Sequence, residues 1–357
     1  LQNSNDSTSE VITSVPHANI TAESLTEPTK AIEHGSTLKI FFGMTRPSNF
    51  PGVVLLHVLG VYLALQSPHV ENAQLLPTLA RPSMMIVLSC LLLTSAASMM
   101  VNDYFDNKIG IDSDVRKPLV GGTVTMAAVK SFLYYIYQVI ALLLTAVPGV
   151  PSRLMVVIGN MITYWYTKHL KPVTWLKNVV CAAIIGLSPA TSGAAAFHLL
   201  STENSFKVFG VSALSRLVTT LFLGFTGREI LMDINDVKDD AAHNVKTVPV
   251  THGLKFASTT ALLCTAAMAA CALAGPLWKI GQSLGDNSYS SCGVFLSTLV
   301  SSSASGTRQL ILGSLGCFPM FFRAWNVYKT EGEDRALVDQ AVNEGKLTFV
   351  LILASFI

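Results

Sequence analysis

The feature that most constrains this chain is a series of long apolar segments separated by short polar connections. About twenty consecutive apolar residues are needed for a helix to cross a bilayer. Because backbone polar groups inside lipid must be satisfied within the protein, such segments fold as helices. The complete segments lie near Phe50–Leu65, Ser83–Val101, Met126–Val147, Leu154–Tyr166, Trp175–Leu199, Val211–Phe225, Phe256–Pro276 and Gln309–Trp325, and another begins at Leu347. The sequence therefore predicts an all-α, multi-span integral membrane bundle of about nine transmembrane helices around a central cavity.

Composition and charge placement agree with a membrane protein. Hydrophobic residues make up 50% of the chain, charged residues make up 13%, and the mean hydropathy is +0.49. Basic residues precede the first apolar segment and recur in alternate connections after it. Under the positive-inside rule, the N-terminus and these connections lie on the face equivalent to the cytoplasm. We therefore expect a multi-pass protein surrounded by membrane lipid, with no nucleic-acid partner.

The first part of the chain differs from the rest. Residues 1–37 are rich in Ser, Thr, Asn and Glu and lack apolar periodicity, which predicts a disordered polar N-terminal tail. This tail lacks the apolar core of a secretory signal, and its acidic residues do not suit a transit peptide. Residues 38–357 are expected to form one transmembrane domain.

Two acidic clusters, each directly following an apolar segment, point to the function. In the second cluster, Asp233, Asp236 and Asp240 stand at positions i, i+3 and i+7, so a continuing helix projects all three from one face. Neighbouring carboxylates repel one another unless a cation lies between them, and Mg²⁺ binds carboxylate and phosphate oxygens together with water. This spacing favours a magnesium site, although a helix that leaves the membrane with ordinary surface acids has the same appearance.

The first acidic cluster weakens that alternative. Asn102 and Asp106 stand at i and i+4, Asp103 precedes Asp106 by three residues, and Asp112 follows a break at Gly110. The charge pattern places both clusters on the same membrane face. There they would hold Mg²⁺ against a diphosphate, and a lipid-soluble substrate would reach them from the bilayer. Stabilising the charge of the leaving diphosphate would be the main catalytic effect.

Several motifs in this order resemble the UbiA superfamily of intramembrane prenyltransferases. The two clusters are similar to the family's NDxxDxxxD motif and to its DxxD or DxxxD motif. Further similar segments are TRP at Thr45–Pro47, RKPLVGG at Arg116–Gly122, YTKHLKPVTWLKN at Tyr166–Asn178 and KTVPVTHG at Lys246–Gly253. The resemblance covers nearly all of residues 38–357. One position departs from the pattern: Gly110 stands where the first motif has its third acid, and Asp112 is the nearest carboxylate.

The resemblance implies a reaction and a set of residue roles. Family enzymes bind an allylic isoprenyl diphosphate with Mg²⁺, ionise its C–O bond and let an acceptor capture the carbocation. The implied ligands of metal and diphosphate are Asp103, Asp106, Asp233 and Asp236, with Asp112 and Asp240 as helpers. Asn102 would contact a metal or its water, and Tyr166 would stabilise the allylic cation. The basic residues implied to neutralise diphosphate oxygens are Lys171, Arg116, Arg46 and Lys177.

Some alternatives remain open at the level of sequence. Lys177 is as well explained by anchoring at the membrane flank as by diphosphate binding. The expected partners are an isoprenyl diphosphate and a hydrophobic or aromatic acceptor, which could be an aromatic acid, a naphthoate, a chlorophyllide or a glyceryl phosphate ether. These acceptors belong to the biosynthesis of quinones, tocopherols, chlorophyll or ether lipids. The motif cues and the polar tail favour a plastid membrane over a mitochondrial inner membrane or a bacterial plasma membrane.

Two other protein classes fit the pattern less well. A CDP-alcohol-type phosphotransferase also uses Mg²⁺ and aspartates, but it gathers them in a single compact motif. A polytopic transporter places its ionisable residues near the bilayer midplane, whereas those of this chain cluster at the ends of the apolar segments.

Overall fold

The computed structural model describes residues 34–70, 73–110, 114–170, 173–210, 212–242, 245–285 and 304–357. Within these ranges the chain is helical and forms no strand. The helices are α1 (His34–Met44), α2 (Phe50–Leu65), α3 (Leu75–Leu79), α4 (Pro82–Lys108), α5 (Met126–Leu144), α6 (Val150–Trp165), α7 (Leu176–Leu200), α8 (Ser212–Asn235), α9 (Val237–Ala242), α10 (Val248–His252), α11 (Leu254–Gly285), α12 (Ala304–Lys329) and α13 (Arg335–Ala354).

Six of the described helices are long and apolar enough to cross a membrane. They correspond to α2, α4, α5, α7, α11 and α12. Helix α6 is shorter, with 16 residues, whereas α8 and α13 carry ionisable side chains within helices of 24 and 20 residues. The predicted all-α, multi-span bundle is therefore confirmed, and the number of nine spans stays a prediction.

The structure moves several predicted boundaries. Helix α8 continues to Asn235, ten residues beyond the predicted apolar segment, and α13 begins at Arg335 instead of near Leu347. Helix α1 begins at His34, so the last four residues of the predicted tail are helical, and residues 1–33 lie outside the described part of the chain. Two predicted site residues, Asp112 and Lys171, also lie outside it.

Helix α7 lies at the centre of the packing. It contacts α2, α4, α6 and α8, while α8 contacts α11 and α13 on its other side. The backbones of α2 and α7 approach closely because Gly60 has no side chain: a Cβ there would lie 2.3 Å from the Pro189 carbonyl oxygen. Beside this contact, buried His57 and Ser192 form a 2.9 Å hydrogen bond between the same two helices. Small residues therefore set the spacing at the centre of the bundle.

The outer surface carries large apolar side chains. Leu142, Met161, Leu263 and Phe318 are all exposed, as expected for helices that face lipid. The ends of the bundle differ from this surface, since the C-terminal ends of α4 and α8 hold the two acidic clusters. The helices thus bring the polar residues to one end of an apolar bundle.

Candidate active site

The first acidic cluster occupies the last two turns of α4. The side chains of Asp103 and Asp106 are buried, although they lie at a helix end. Arg46, which precedes α2, donates a hydrogen bond of 2.6 Å from Nη2 to Asp103 Oδ1. Asn102 Nδ2 donates to Asp106 Oδ2 at 2.8 Å, as the i, i+4 spacing predicts. Each carboxylate is thus held in place by a neighbouring nitrogen donor.

The backbone at Arg46 has an uncommon conformation. Its φ angle is 48°, in the left-handed region, and Pro47 follows directly. A residue before proline avoids helical conformations, and a non-glycine residue with positive φ costs free energy. Such strain persists where the surrounding contacts fix the residue, often at a functional site. The Asp103 ion pair is one such contact, and it places Arg46 at the first acidic cluster.

The second cluster is centred on Asp233, the most buried of the acidic residues. Lys177 Nζ lies 2.5 Å from Asp233 Oδ1, and Asn178 Nδ2 donates to Asp233 Oδ2 at 2.8 Å. Both donors belong to the first turn of α7, which begins after Trp175 at a φ of 68°. Lys177 therefore lies at the acidic cluster and contacts Asp233 directly, a contact that anchoring at a membrane flank does not require.

Two of the sequence motifs contact each other next to this cluster. Thr174 Oγ1 donates to the Lys246 carbonyl oxygen at 2.7 Å, and Trp175 Nε1 donates to His252 Nε2 at 3.1 Å. The segment before α7 is therefore tied to the segment around α10. This contact fixes the turn from which Lys177 reaches Asp233.

The other two acids of the second cluster lie at and after the junction between α8 and α9. Helix α8 ends at Asn235 and α9 begins at Val237, but the helical backbone bonds from Asp236 to Met232 and from Asp240 to Asp236 continue across the junction. Asp236 is exposed, Asp240 is half-buried, and both lie within electrostatic range of Asp233. Burial raises the pKa of the Asp240 carboxyl above its usual value. The three carboxylates remain together because these backbone bonds are kept at the junction.

Tyr166 links the two clusters. It begins a π-helical turn, Tyr166–Leu170, that directly continues α6. The Tyr166 hydroxyl lies within electrostatic range of Asp106 in the first cluster and of Asp233 in the second. The structure therefore brings one acid of each cluster near the same tyrosine.

Two adjacent basic residues in the segment between α4 and α5 have different surroundings. Arg116 is exposed and forms a bidentate ion pair with Asp114, with bonds of 2.9 and 3.0 Å. The half-buried Lys117, next to it in sequence, lies within electrostatic range of Asp103. In this structure Lys117, and not the predicted Arg116, faces the first acidic cluster.

A cavity of about 990 Å³ opens beside the acidic clusters. Its polar end contains Arg46, Asn102, Tyr166, Arg228 and Glu229. The rest of its wall is largely apolar and comes from helices on both sides of α7, with residues such as Leu56, Leu91, Met155, Ile185, Phe225 and Phe349. The volume is at the upper end of the range for small-molecule sites. An apolar chain can occupy this space while its charged end lies at the acidic clusters.

Sequence reasoning missed several residues of this site. Asn178 lay inside a quoted motif but received no role, although it holds the buried Asp233. The sequence interpretation gave a role in diphosphate binding to Arg116 but none to Lys117. Glu229 stands one helical turn before Asp233, and the i, i+4 spacing on α8 was the available signal.

The chemistry of the donors fits Mg²⁺. Both clusters offer carboxylate oxygens, and Asp240 lies half-buried within electrostatic range of Asp233 and Asp236. Within the described ranges, no three His, Cys, Asp or Glu side chains are close enough to hold an ion alone. Mg²⁺ is commonly held by one or two carboxylates together with substrate phosphates and water. These residues therefore suit a metal ion that arrives with a diphosphate.

A family model and several curated proteins match this chain. A model described as the UbiA prenyltransferase family matches residues 53–338. Digeranylgeranylglyceryl phosphate synthase of Thermococcus kodakarensis is 27% identical over 223 residues, covering 62% of this chain and 71% of that protein. The enzyme of the same name from Methanoregula boonei is 25% identical over 240 residues, covering 67% and 77%.

Solved structures share the fold. A structure of digeranylgeranylglyceryl phosphate synthase has a TM-score of 0.64 and 17% identity, covering 90% of this chain and 97% of that one. A UbiA homologue from Aeropyrum pernix K1 has a TM-score of 0.57 and 16% identity, covering 84% and 98%. A UbiA homologue from Archaeoglobus fulgidus bound to GPP and Mg²⁺ has a TM-score of 0.50 and 15% identity, covering 89% and 99%.

Proposed function

Because this chain belongs to the UbiA prenyltransferase family, we propose that it transfers a prenyl group from an isoprenyl diphosphate to a hydroxyl group of a lipophilic acceptor within the membrane. The observation that carries the proposal is the pair of acidic clusters near Tyr166, at the polar end of an apolar cavity. The clusters suit the charged end of the donor, and the apolar walls suit its hydrocarbon chain.

The acidic residues are assigned to the metal ion and the diphosphate. Asp103, Asp106, Asp233, Asp236 and Asp240 would hold Mg²⁺ together with the diphosphate oxygens. When bound, the ion neutralises the charge that develops on the leaving diphosphate. Magnesium in the solved Archaeoglobus homologue supports this assignment only by analogy.

The basic residues and the tyrosine act on other parts of the donor. Arg46, Lys117 and Lys177 lie beside the acidic clusters and would bind diphosphate oxygens. The face of the Tyr166 ring would stabilise positive charge at the allylic carbon. Asp112 and Lys171 keep the roles predicted from the motifs, and we assign the role predicted for Arg116 to Lys117.

For the acceptor we favour a glyceryl phosphate ether. Several relatives carry the name digeranylgeranylglyceryl phosphate synthase, and this shared name favours a glyceryl phosphate ether over an aromatic or chlorophyllide acceptor. These relatives are archaeal, so they give no support to the predicted plastid membrane. The coarser location, a multi-pass protein of a membrane, agrees with the apolar helices.

The decisive experiment is a transfer assay with the full chain in liposomes. Radiolabelled geranylgeranyl diphosphate is offered with and without Mg²⁺ to geranylgeranylglyceryl phosphate, 4-hydroxybenzoate, homogentisate, dihydroxynaphthoate and chlorophyllide. The proposal expects Mg²⁺-dependent transfer of label to the glyceryl phosphate, with release of inorganic diphosphate. Transfer to an aromatic acceptor alone would overturn the acceptor assignment. A phosphoryl product, with the prenyl C–O bond intact, would instead indicate a phosphotransferase.

A further inference from the structure

The cavity wall contains an acidic residue that the diphosphate site does not use. Among the described residues that line the cavity, Glu229 carries the only carboxylate. Its side chain is 13% exposed, so the carboxylate is largely removed from bulk solvent. Burying a carboxylate in an apolar bundle is costly unless other groups compensate for it. Its position in the cavity therefore calls for a functional explanation.

Two basic groups lie near Glu229. Arg228 Nη1 lies 3.6 Å from Glu229 Oε1, and the ammonium group of Lys177 lies within electrostatic range. Cys181, from the facing helix α7, and Asp233 are further polar neighbours, and Cys181 lines the same cavity. The carboxylate is thus flanked by basic groups and is open to a ligand in the cavity.

The helix sets the depth of Glu229. It precedes Asp233 by four residues on α8, about one turn or 6 Å farther along the helix from the acidic cluster. The Tyr166 hydroxyl lies within electrostatic range of both Glu229 and Asp233. With the diphosphate at Asp233, the Glu229 carboxylate lies one turn away in the wall of the cavity, where the prenyl chain and an acceptor would bind.

We propose that Glu229 is the general base that takes the proton from the acceptor hydroxyl. This inference rests on the proposed prenyl transfer. The bond between the allylic carbon and the diphosphate oxygen breaks, and its electron pair leaves with the diphosphate. The acceptor oxygen then forms the new C–O bond, and its proton passes to the Glu229 carboxylate.

Other groups near the reacting carbon are less suited to this role. Asp103 and Asp233 are already bound to Arg46 and Lys177, and they face the diphosphate end. Arg228 is always protonated and cannot accept a proton. The serious rival is the released diphosphate, which carries oxygens that can take the same proton.

The test compares Glu229→Gln with the unchanged protein on two acceptors that differ in one atom. One acceptor carries a hydroxyl group, and the other carries a thiol, whose pKa of about 8.5 lets a large part of it ionise without a base at mildly alkaline pH. General base catalysis contributes roughly 100-fold to 10,000-fold. Glu229→Gln is expected to lose about that factor in transfer to the hydroxyl acceptor, and to lose much less with the thiol acceptor.

Controls separate catalysis from folding. Glu203→Gln removes an acid from an exposed ion pair with Lys207, outside the cavity, and should leave both rates unchanged. Binding of a non-hydrolysable prenyl diphosphate analogue to Glu229→Gln should match the unchanged protein. Glu229→Asp, which keeps a carboxylate, should recover part of the hydroxyl transfer.

Two results would overturn the inference. Equal losses on hydroxyl and thiol acceptors would mean that Glu229 only supports the structure of the cavity. Unchanged transfer to the hydroxyl acceptor would mean that the diphosphate or water takes the proton. Failure of the proposed function is seen separately, because the unchanged protein would then transfer no prenyl group to either acceptor.

Discussion

At the scale of single residues, the buried ion pair between Lys177 and Asp233 links stability to the site. Asp233 is almost fully buried, and its two oxygens accept bonds from Lys177 and Asn178. Removing one partner of a buried ion pair leaves an uncompensated charge, which costs about 3–5 kcal/mol. We expect Lys177→Met to lower the free energy of unfolding by this amount, as measured by denaturant titration in detergent.

A double variant measures the interaction energy between Lys177 and Asp233. Lys177→Met combined with Asp233→Asn removes both charges, so it should destabilise less than the sum of the two single changes. Coupling of about 0.5–3 kcal/mol is typical of residues in contact. Strict additivity would show that the pair in the structure contributes nothing to folding.

Lys117 and Arg116 provide a matched comparison of two adjacent cations. Lys117 lies within electrostatic range of Asp103, whereas Arg116 is exposed and paired with Asp114. A hydrogen bond to a charged group is worth about 1.5–3 kcal/mol. Lys117→Gln should therefore raise KM for the prenyl diphosphate about tenfold or more, and Arg116→Gln should change it less than twofold. The reverse order of effects would restore the assignment made from the motif.

At the scale of helices, close packing of α2 against α7 depends on the absence of a side chain at Gly60. A Cβ there would meet the Pro189 backbone, which cannot move aside as a flexible side chain can. Overpacking of this kind costs about 1–3 kcal/mol. Gly60→Ala should lower the thermal midpoint, measured in the same detergent as the unchanged protein. Gly52→Ala, on the same helix with open space around it, should not lower it.

The sequence predicted helices better than it predicted their breaks and partners. Apolar length and the acidic spacing placed the first cluster at the end of α4, where the structure has it. The junction between α8 and α9 at Asp236 was not predicted, because the sequence around it contains no Gly or Pro that would mark the end of a helix. The partners of Asp233 were missed because its contact with Asn178 joins residues 55 positions apart, and local periodicity carries no information about such contacts.

At the scale of the whole molecule, the apolar interior and the polar end are one continuous space. Residues on both sides of α7 line the cavity, from Arg46 and Glu229 at the polar end to Met155 and Leu353 in its apolar wall. The same bundle that satisfies the backbone in lipid therefore also encloses a space for a hydrocarbon chain. The size of that space should limit the length of the prenyl group.

Gly159 allows this limit to be tested without disturbing the diphosphate end. It lines the cavity from α6, and by helical rise it lies about 10 Å from Tyr166. A Cβ at this position would meet only Leu187 Cδ1, at an ordinary 3.7 Å, so Gly159→Leu should fold and project into the cavity. A clash with the distal part of a long chain, at about 1–3 kcal/mol, should lower kcat/KM for geranylgeranyl diphosphate about tenfold or more. Geranyl diphosphate, which is half as long, should be used nearly as well as before.

The control for this experiment is Gly281→Leu, which places the same side chain on α11 outside the cavity. It should leave the ratio of the two substrates unchanged. An equal loss on both substrates in Gly159→Leu would mean that the variant disturbs the reacting end and not the chain pocket. An unchanged ratio would mean that the prenyl chain lies elsewhere, against lipid at the side of the bundle. The ratio of two substrates, unlike either rate alone, therefore reports which part of the molecule holds the hydrocarbon chain.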